Sequence, residues 1–146
     1  MSIEVKIVNK STHALPAYAT LGASGMDLRA NLENTLPLQP MERCLIPTGL
    51  FISIPENYEA QIRPRSGLAI KQGITCLNTP GTIDADYRGE IKVILINLST
   101  QVQIIENGDR IAQMVFCEVA KARLVQINEL EITARGEGGF GHTGKQ

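Results

Sequence analysis

Apolar and polar residues alternate with a period of two over several short stretches of the chain. Residues 3–7, 58–63 and 101–104 each place apolar side chains at every second position. This alternation is typical of β-strands that bury one face and expose the other. Residues 91–98 are almost continuously apolar and β-branched, as in a strand buried on both sides. Residues 111–119 form a further strand candidate.

The segments between these runs are rich in residues that interrupt regular structure. All seven prolines and many of the 13 glycines fall there. Short strands separated in this way favour an all-β sandwich or barrel. One short helix is predicted, with Ser66 as its N-cap, residues 68–72 as its body and Gly73 as its end.

Composition narrows the possible classes of protein. The 146 residues suit a single domain, and an apolar content of 43% excludes a disordered chain. A net charge of −1 leaves no broad basic surface, so no nucleic-acid polymer is expected as a partner. No apolar run approaches the roughly 18 residues of a membrane helix, and no secretory signal is visible.

The cysteines and histidines indicate neither a disulfide framework nor a zinc site. Cys44, Cys76 and Cys117 lie far apart among apolar neighbours. Their odd number and the lack of a CxxC pair fit reduced, mostly buried thiols in a cytoplasmic protein. A catalytic cysteine is the alternative, but no histidine is suggested near any of the three. His13 and His142 lack the spacing of metal ligands.

The last twelve residues differ in composition from the rest. Residues 135–146 contain five glycines and one large apolar side chain, which cannot build a core. A frayed terminus is one interpretation. An arm that orders over a bound ligand better explains why Phe140 stands beside Arg135 and Thr143. We therefore divide the chain into a β-domain, 1–134, and this arm, 135–146.

Three internal segments carry residues suited to phosphate chemistry. Residues 65–67, Arg-Ser-Gly, combine a guanidinium fork, a hydroxyl and a glycine at a predicted helix start, where anions bind; an ordinary helix cap is the alternative. In 78–90, Asp84 and Asp86 are two residues apart and point the same way on an extended chain; a polar loop between strands, which is common, is the alternative. In 108–114, Gln113 sits among apolar residues, either as a satisfied core amide or as a group that holds water or ligand.

Five segments in this order resemble the motifs of the trimeric dUTP pyrophosphatase (dUTPase) family. They are Ser24–Ala30, Arg65–Ala69, Asn78–Glu90, Gly108–Met114 and Arg135–Gly144, and they span nearly the whole chain. The resemblance implies a jelly-roll-like, distorted β-barrel with one short helix, assembled as a homotrimer with shared active sites. The third motif would shape the nucleoside pocket, the first, second and fourth would come from a neighbour, and the arm from the third subunit.

The resemblance also implies a reaction, the hydrolysis of dUTP to dUMP and pyrophosphate. This activity limits uracil incorporation into DNA and supplies dUMP for thymidylate synthesis. Asp84 would deprotonate a water that attacks the α-phosphorus, and Gln113 would help hold that water. Mg²⁺ would be the cofactor, with Asp27 binding its waters. Phosphate contacts would come from Arg65, Ser66, Gly67, Arg135, Gly141 and Thr143.

The nucleoside pocket is assigned by the same resemblance. A hairpin slot lined by Asn78, Gly81, Thr82, Ile83 and Lys92 would pair with the uracil edge. Tyr87 would pack under the deoxyribose and leave no room for a 2′-hydroxyl, and Phe140 would cover the base.

Two other functions fit the same fold. A dCTP deaminase resembles this chain, but typically carries Arg-Ser-Ser in the second motif, where Gly67 stands here. A regulatory protein that senses a nucleotide is the other alternative, since a fold does not fix a function. Catalytic release of pyrophosphate from dUTP distinguishes an enzyme from a sensor.

Overall fold

The protein is described here by a computed structural model that covers residues 2–140. These residues form eleven strands and one helix. The strands are β1 (Lys6–Asn9), β2 (Met26–Arg29), β3 (Leu36–Leu38), β4 (Arg43–Pro47), β5 (Leu50–Ser53), β6 (Tyr58–Arg63), β7 (Ile74–Cys76), β8 (Gly81–Ile83), β9 (Lys92–Asn97), β10 (Gln103–Ile105) and β11 (Arg110–Glu118). The helix, α1 (Ser66–Gln72), follows β6.

Within this part of the chain, the strands form four antiparallel sheets. The largest has the order β2-β11-β6-β8, and a second has the order β4-β9-β7. The pairs β1-β5 and β10-β3 complete the set. The arrangement is jelly-roll-like, as expected, but the described sheets do not close into a continuous barrel.

Both larger sheets contribute to one hydrophobic core. Leu28, Ile62 and Met114 come from the four-stranded sheet, and Ile46 and Leu95 come from the three-stranded sheet. All five are at most 4% exposed. Burying one such side chain contributes about 1.5–3 kcal/mol, so this core fixes how the two sheets face each other.

Of the three alternating stretches, 58–63 forms β6, whereas 3–7 and 101–104 only overlap β1 and β10. The apolar runs 91–98 and 111–119 contain β9 and nearly all of β11. The helix begins at Ser66, two positions before the predicted body, 68–72. Arg65, in an extended conformation, is its N-cap residue, so the prediction that Ser66 caps it was wrong. Gly73 ends it in the left-handed conformation, at φ 66°, as predicted.

Residues 77–91 join β7 to β9, which pair antiparallel in the three-stranded sheet. Within this connection, β8 pairs with β6 of the large sheet. After β8 the chain turns, because the Tyr87 N–H donates to the Asp84 carbonyl oxygen at 3.1 Å, so of the two sequence interpretations the loop is present and the extended chain is not. The predicted slot is therefore a long connection that leaves the three-stranded sheet, pairs with the large sheet and returns.

The chain after β11 contains no strand in the described residues. Residues 119–134 run without regular structure and expose large apolar side chains. These are Leu124 (93% exposed), Val125 (61%), Ile127 (60%), Leu130 (84%) and Ile132 (100%). A division of the chain between residues 134 and 135 stays a prediction.

Candidate active site

Three charged side chains meet at one end of the four-stranded sheet. Asp27 lies on β2, Arg110 begins β11, and Arg65 follows β6. Arg65 Nε donates to Asp27 Oδ1 at 2.9 Å, and Arg110 Nη1 donates to Asp27 Oδ2 at 3.3 Å. Arg65 Nη1 also donates to the Arg110 carbonyl oxygen at 3.0 Å. Both carboxylate oxygens of Asp27 therefore hold a guanidinium group in a defined direction.

This cluster carries excess positive charge and remains open to solvent. Two guanidinium groups oppose one carboxylate, and the side chains of Arg65, Asp27 and Arg110 are 26%, 32% and 52% exposed. Within residues 2–140, no hydrogen bond involves Arg65 Nη2. A fork of free N–H groups held in place by a carboxylate suits the oxygens of a phosphate.

Gln113 lies beside this cluster on β11. It is paired in register with Asp27 on β2 and with Arg63 on β6. Its Nε2 donates to the Pro64 carbonyl oxygen at 3.1 Å, which ties the amide to the residue before Arg65. Its Oε1 faces Gly25, where an added Cβ would lie 2.7 Å away. The amide is therefore bonded through Nε2, and the space around its Oε1 depends on a neighbouring glycine.

The first turn of α1 stands next to Arg65. Ser66 and Gly67 are exposed, and a Cβ at Gly67 would meet no atom within 4 Å. This open approach to the backbone, two residues after a held arginine, is compatible with the predicted phosphate contacts. Arg65, Ser66 and Gly67 are neighbours in the sequence. Folding places Asp27 and Gln113 beside them.

The nucleoside-binding residues expected from the sequence lie in and beside the 78–92 loop. Gly81 is buried, Ile83 is partly buried, and Asn78, Thr82 and Lys92 are exposed. The Asn78 side chain lies against Gly81, with Nδ2 at 3.2 Å from a Cβ built there.

Asp84 and Asp86 also lie in this loop, in the turn that follows β8. Both are exposed and line one cavity of about 590 Å³ together with Glu56, Glu59 and Lys121, among others. Arg88 Nη1 holds the turn by donating to the Ala85 carbonyl oxygen at 2.7 Å. Asp84 is therefore accessible to water and to a ligand.

Within one chain, Asp84 and Arg65 stand at opposite ends of β6. Ile83 pairs with Ala60 near the start of β6, whereas Arg65 follows its last residue, Arg63. A strand rises about 3.3 Å per residue, so the two functional groups are separated by roughly 15–20 Å. One chain alone does not bring Asp84 to the cluster of Asp27, Arg65 and Arg110.

The arm residues lie apart from both groups. Arg135 is exposed, and its Nε donates to the Gly138 carbonyl oxygen at 2.6 Å within the arm itself. Phe140 is fully exposed. The predicted contacts of Gly141 and Thr143 lie outside the described residues.

Arg110 is the functional candidate that sequence reasoning missed. Arg110 stands next to Asp109 in the sequence, and such neighbours commonly form a plain surface ion pair. Asp109 Oδ2 instead accepts from the Glu106 N–H at 2.8 Å, and Arg110 reaches Asp27. Only the pairing of β2 with β11 could have indicated this contact, because 83 positions separate the two residues.

Metal-binding and nucleophilic alternatives are weak in the described part of the chain. Residues 2–140 contain no group of three or more His, Cys, Asp or Glu side chains that could hold a metal ion. Three thiols are free there, of which Cys76 is buried and Cys44 and Cys117 are partly buried. Burial raises the pKa of Cys76 from 9.0 to about 11, so this thiol is protonated at neutral pH and is not a nucleophile. No helix in that range reaches the length and apolar character that crossing a bilayer requires.

Comparisons with known proteins agree on one family. The model of the dUTPase family matches residues 11–144. The deoxyuridine 5′-triphosphate nucleotidohydrolase of Cytophaga hutchinsonii is 60% identical over 145 residues, which cover 99% of this chain and 94% of that protein. The enzyme of the same name from Finegoldia magna is 57% identical, with 97% and 99% covered.

Solved structures show the same fold. The dUTPase of Staphylococcus bacteriophage 80alpha with dUpNHpp has a TM-score of 0.85 and 25% identity, and the match covers 98% of this chain and 99% of that chain. A mutant dUTPase from phage phi11 of S. aureus, in which a structural Mg(II) ion is coordinated, has a TM-score of 0.78 and 23% identity, with 89% and 100% covered.

Proposed function

The chain belongs to the dUTPase family, and from this premise we propose how its site works. The chain is a hydrolase that converts dUTP to dUMP, as indicated by relatives of that name at 54–60% identity. This supports the hydrolase over a deaminase or a pure nucleotide sensor. The single observation that carries the proposed mechanism is the Asp27–Arg65–Arg110 cluster, which lies beside an open helix start and beside Gln113, itself bonded to the Pro64 carbonyl oxygen.

Asp84 is the general base in this proposal. Its carboxylate takes a proton from a water, and the water oxygen bonds to the α-phosphorus. The bond from that phosphorus to the oxygen bridging toward the β-phosphorus breaks, so pyrophosphate leaves with the bonding electron pair. Gln113, held by the Pro64 carbonyl oxygen, orients the water and a phosphate oxygen.

The phosphates are bound by fixed cationic and backbone groups. Arg65, directed by Asp27, donates its free N–H groups to phosphate oxygens, and Ser66 and Gly67 present a hydroxyl and open backbone N–H groups. Because the donors are positioned before substrate arrives, they need little reorganisation in the transition state.

Asp27 fits a magnesium ion that is held through water. Each of its oxygens accepts one N–H group, which leaves a second lone pair on each oxygen for a metal-bound water. Residues 2–140 offer no set of three ligands for direct binding, and Mg²⁺ usually keeps several waters. The ion would enter with the triphosphate and neutralise phosphate charge.

The complete site is shared between chains of a homotrimer. Asp84 and Arg65 stand roughly 15–20 Å apart along one strand, whereas a base must reach its water within about 3 Å. A neighbouring chain that presents its own Arg65 beside Asp84 removes this gap. The exposed apolar side chains of residues 119–134 also favour association, since large exposed apolar patches mark interfaces.

The arm closes the site from a third chain. Arg135 and Phe140 are exposed, as expected of residues whose partners belong to another subunit. Arg135, with Gly141 and Thr143, would clamp the γ-phosphate, and Phe140 would cover the uracil. Ordering this glycine-rich segment costs conformational entropy, which the phosphate contacts offset.

Nucleoside specificity lies in the 78–92 loop. Asn78 with backbone at Gly81, Thr82, Ile83 and Lys92 pairs with the edge of uracil, and a cytosine would leave a buried polar mismatch worth about 1–3 kcal/mol. Tyr87 packs under the deoxyribose. With three free thiols and this substrate, we place the protein in the cytoplasm.

The chemistry is tested by following pyrophosphate release from dUTP with Mg²⁺ over many turnovers. Asp84→Asn should keep the fold and the binding of a non-hydrolysable analogue, and lose about 10²–10⁴-fold in kcat. Glu56→Gln removes an acid from the same cavity and should keep its activity. Near wild-type turnover by Asp84→Asn would exclude the assigned role.

The proposal that each active site is shared between subunits is tested by mixing inactive variants. Asp84→Asn and Arg65→Ala each damage a different half of the site. In random mixed trimers, about a quarter of the sites would combine an intact Asp84 with an intact neighbouring Arg65, so activity returns in part. Mixing Asp84→Asn with a chain truncated before Arg135 tests the arm in the same way. Mixed trimers that form, as shown by mass, without recovered activity would refute the shared site.

A further inference from the structure

The ring of Tyr87 lies directly against the backbone of Gly89. A Cβ atom built on Gly89 would overlap the Tyr87 hydroxyl oxygen, and would stand 2.5 Å from Cζ and 2.9 Å from Cε2. Gly89 is not among the glycines with positive φ, so its backbone conformation suits any residue. The tyrosine ring, not the chain direction, therefore requires glycine at this position.

A hydrogen bond also holds the hydroxyl group of this ring. The Tyr87 hydroxyl donates to the Glu90 carbonyl oxygen at 3.0 Å. The ring is thus folded back over the next three residues, although it is 43% exposed to solvent. Its direction depends on where the Glu90 backbone lies.

The Glu90 side chain and the backbone of Ile91 are anchored to residues 48–50, between β4 and the start of β5. Glu90 Oε1 accepts from the Gly49 N–H at 2.8 Å, and the Ile91 N–H donates to the Leu50 carbonyl oxygen at 2.8 Å. The buried Thr48 hydroxyl donates to the Ile91 carbonyl oxygen at 2.6 Å. These three bonds connect an exposed ring to the core of the protein.

We propose that Gly89 and Glu90 are positioning residues for Tyr87, and that they set the discrimination between deoxyribose and ribose. The proposal rests on the proposed function, in which the Tyr87 ring packs under the sugar. A ring held at its hydroxyl end by Gly89 and Glu90 keeps one face for the sugar and excludes a 2′-hydroxyl by its position, whereas a free ring would move aside. Glu90 acts through its side-chain bond to Gly49, and Gly89 acts by leaving room for the ring.

The test compares kcat/KM for dUTP and for UTP. Gly89→Ala should displace the ring and reduce the dUTP/UTP ratio about tenfold, the scale of discrimination that a small change of pocket shape produces. Gly22→Ala is the matched control, because a Cβ at Gly22 would meet nothing within 4 Å. In a Tyr87→Ala background, Gly89→Ala should change the ratio no further.

A second pair of variants tests the same proposal through the dUTP/UTP ratio if Gly89→Ala does not fold. Glu90→Gln keeps an oxygen that accepts from the Gly49 N–H and should keep the ratio, whereas Glu90→Ala loses that bond and should reduce it. An unchanged ratio in Gly89→Ala or Glu90→Ala, or equal losses for both nucleotides, overturns the proposal while the proposed function stands. A wild-type protein that hydrolyses neither nucleotide overturns both.

Discussion

Replacing Asp27 by asparagine removes a negative charge from between two guanidinium groups and keeps the shape of the side chain. The carboxylate accepts from Arg65 at 2.9 Å and from Arg110 at 3.3 Å. An amide retains one acceptor oxygen, but its NH₂ group faces the other arginine, which has only donors. One of the two guanidinium groups therefore loses its fixed direction.

The expected losses differ between stability and activity. Both ion pairs are partly exposed, at 26–52%, and such pairs contribute about 0.5–1 kcal/mol each. Asp27→Asn should thus cost about 1–2 kcal/mol of unfolding free energy, or roughly 2–8 °C in Tm. Misdirecting a phosphate-binding group is costlier for catalysis, and we expect kcat/KM to fall about 10–100-fold.

Thermal unfolding and steady-state kinetics measure both quantities on the same samples. Glu42→Gln is the control, since Glu42 also accepts a hydrogen bond, from the Gln39 N–H at 2.7 Å, in a turn away from the site. Binding of a dUTP analogue without Mg²⁺ should weaken in Asp27→Asn if Asp27 acts through the arginines. A loss of kcat/KM below about threefold, or a loss that appears only as a higher Mg²⁺ requirement, would refute this reasoning.

Two further predictions come from contacts of single residues. Gly25→Ala places a Cβ 2.7 Å from Gln113 Oε1, so the amide must move; kcat should fall about tenfold with little change in Tm, and Gly22→Ala should change neither. The raised pKa of Cys76, from 9.0 to about 11, means that the folded state keeps this proton while the unfolded state loses it. The contribution of the protonated thiol to the free energy of unfolding is complete below pH 9 and is lost as pH rises toward 11. Urea unfolding of the wild type should show this loss, and that of Cys76→Ala should not. Parallel pH profiles of the two proteins would contradict the prediction.

The sequence predicts those parts of the fold that depend on a repeating local pattern. Residues 58–63 alternate because Ala60 and Ile62 face the core while Gln61 and Arg63 do not, and β6 has those bounds. Strands of three residues, such as β7 and β8, were not predicted, because so short a run shows no period. Their strand conformation depends on partners elsewhere in the chain.

The sequence predicts which residues belong to the site, but not the contacts that they make with one another. The motif resemblance selects Asp27, Arg65 and Gln113 from segments spread along the chain. Nothing local shows that Asp27 holds Arg110, or that the Pro64 carbonyl oxygen holds Gln113, because these contacts arise from strand pairing. At Asp84 the sequence left an extended chain and a polar loop both open, and one backbone bond, from the Tyr87 N–H, decides for the loop.

The placement of Asp84 and Arg65 at opposite ends of β6 has a consequence for handling the enzyme. If no chain holds a whole site, a dissociated subunit is inactive, and turnover per milligram depends on the concentration of the protein itself. Dilution below the dissociation constant of the assembly should reduce the rate more steeply than in proportion, and substrate, which binds only assembled chains, should slow that decline. The reagent that preserves activity in a dilute sample is then the nucleotide being consumed.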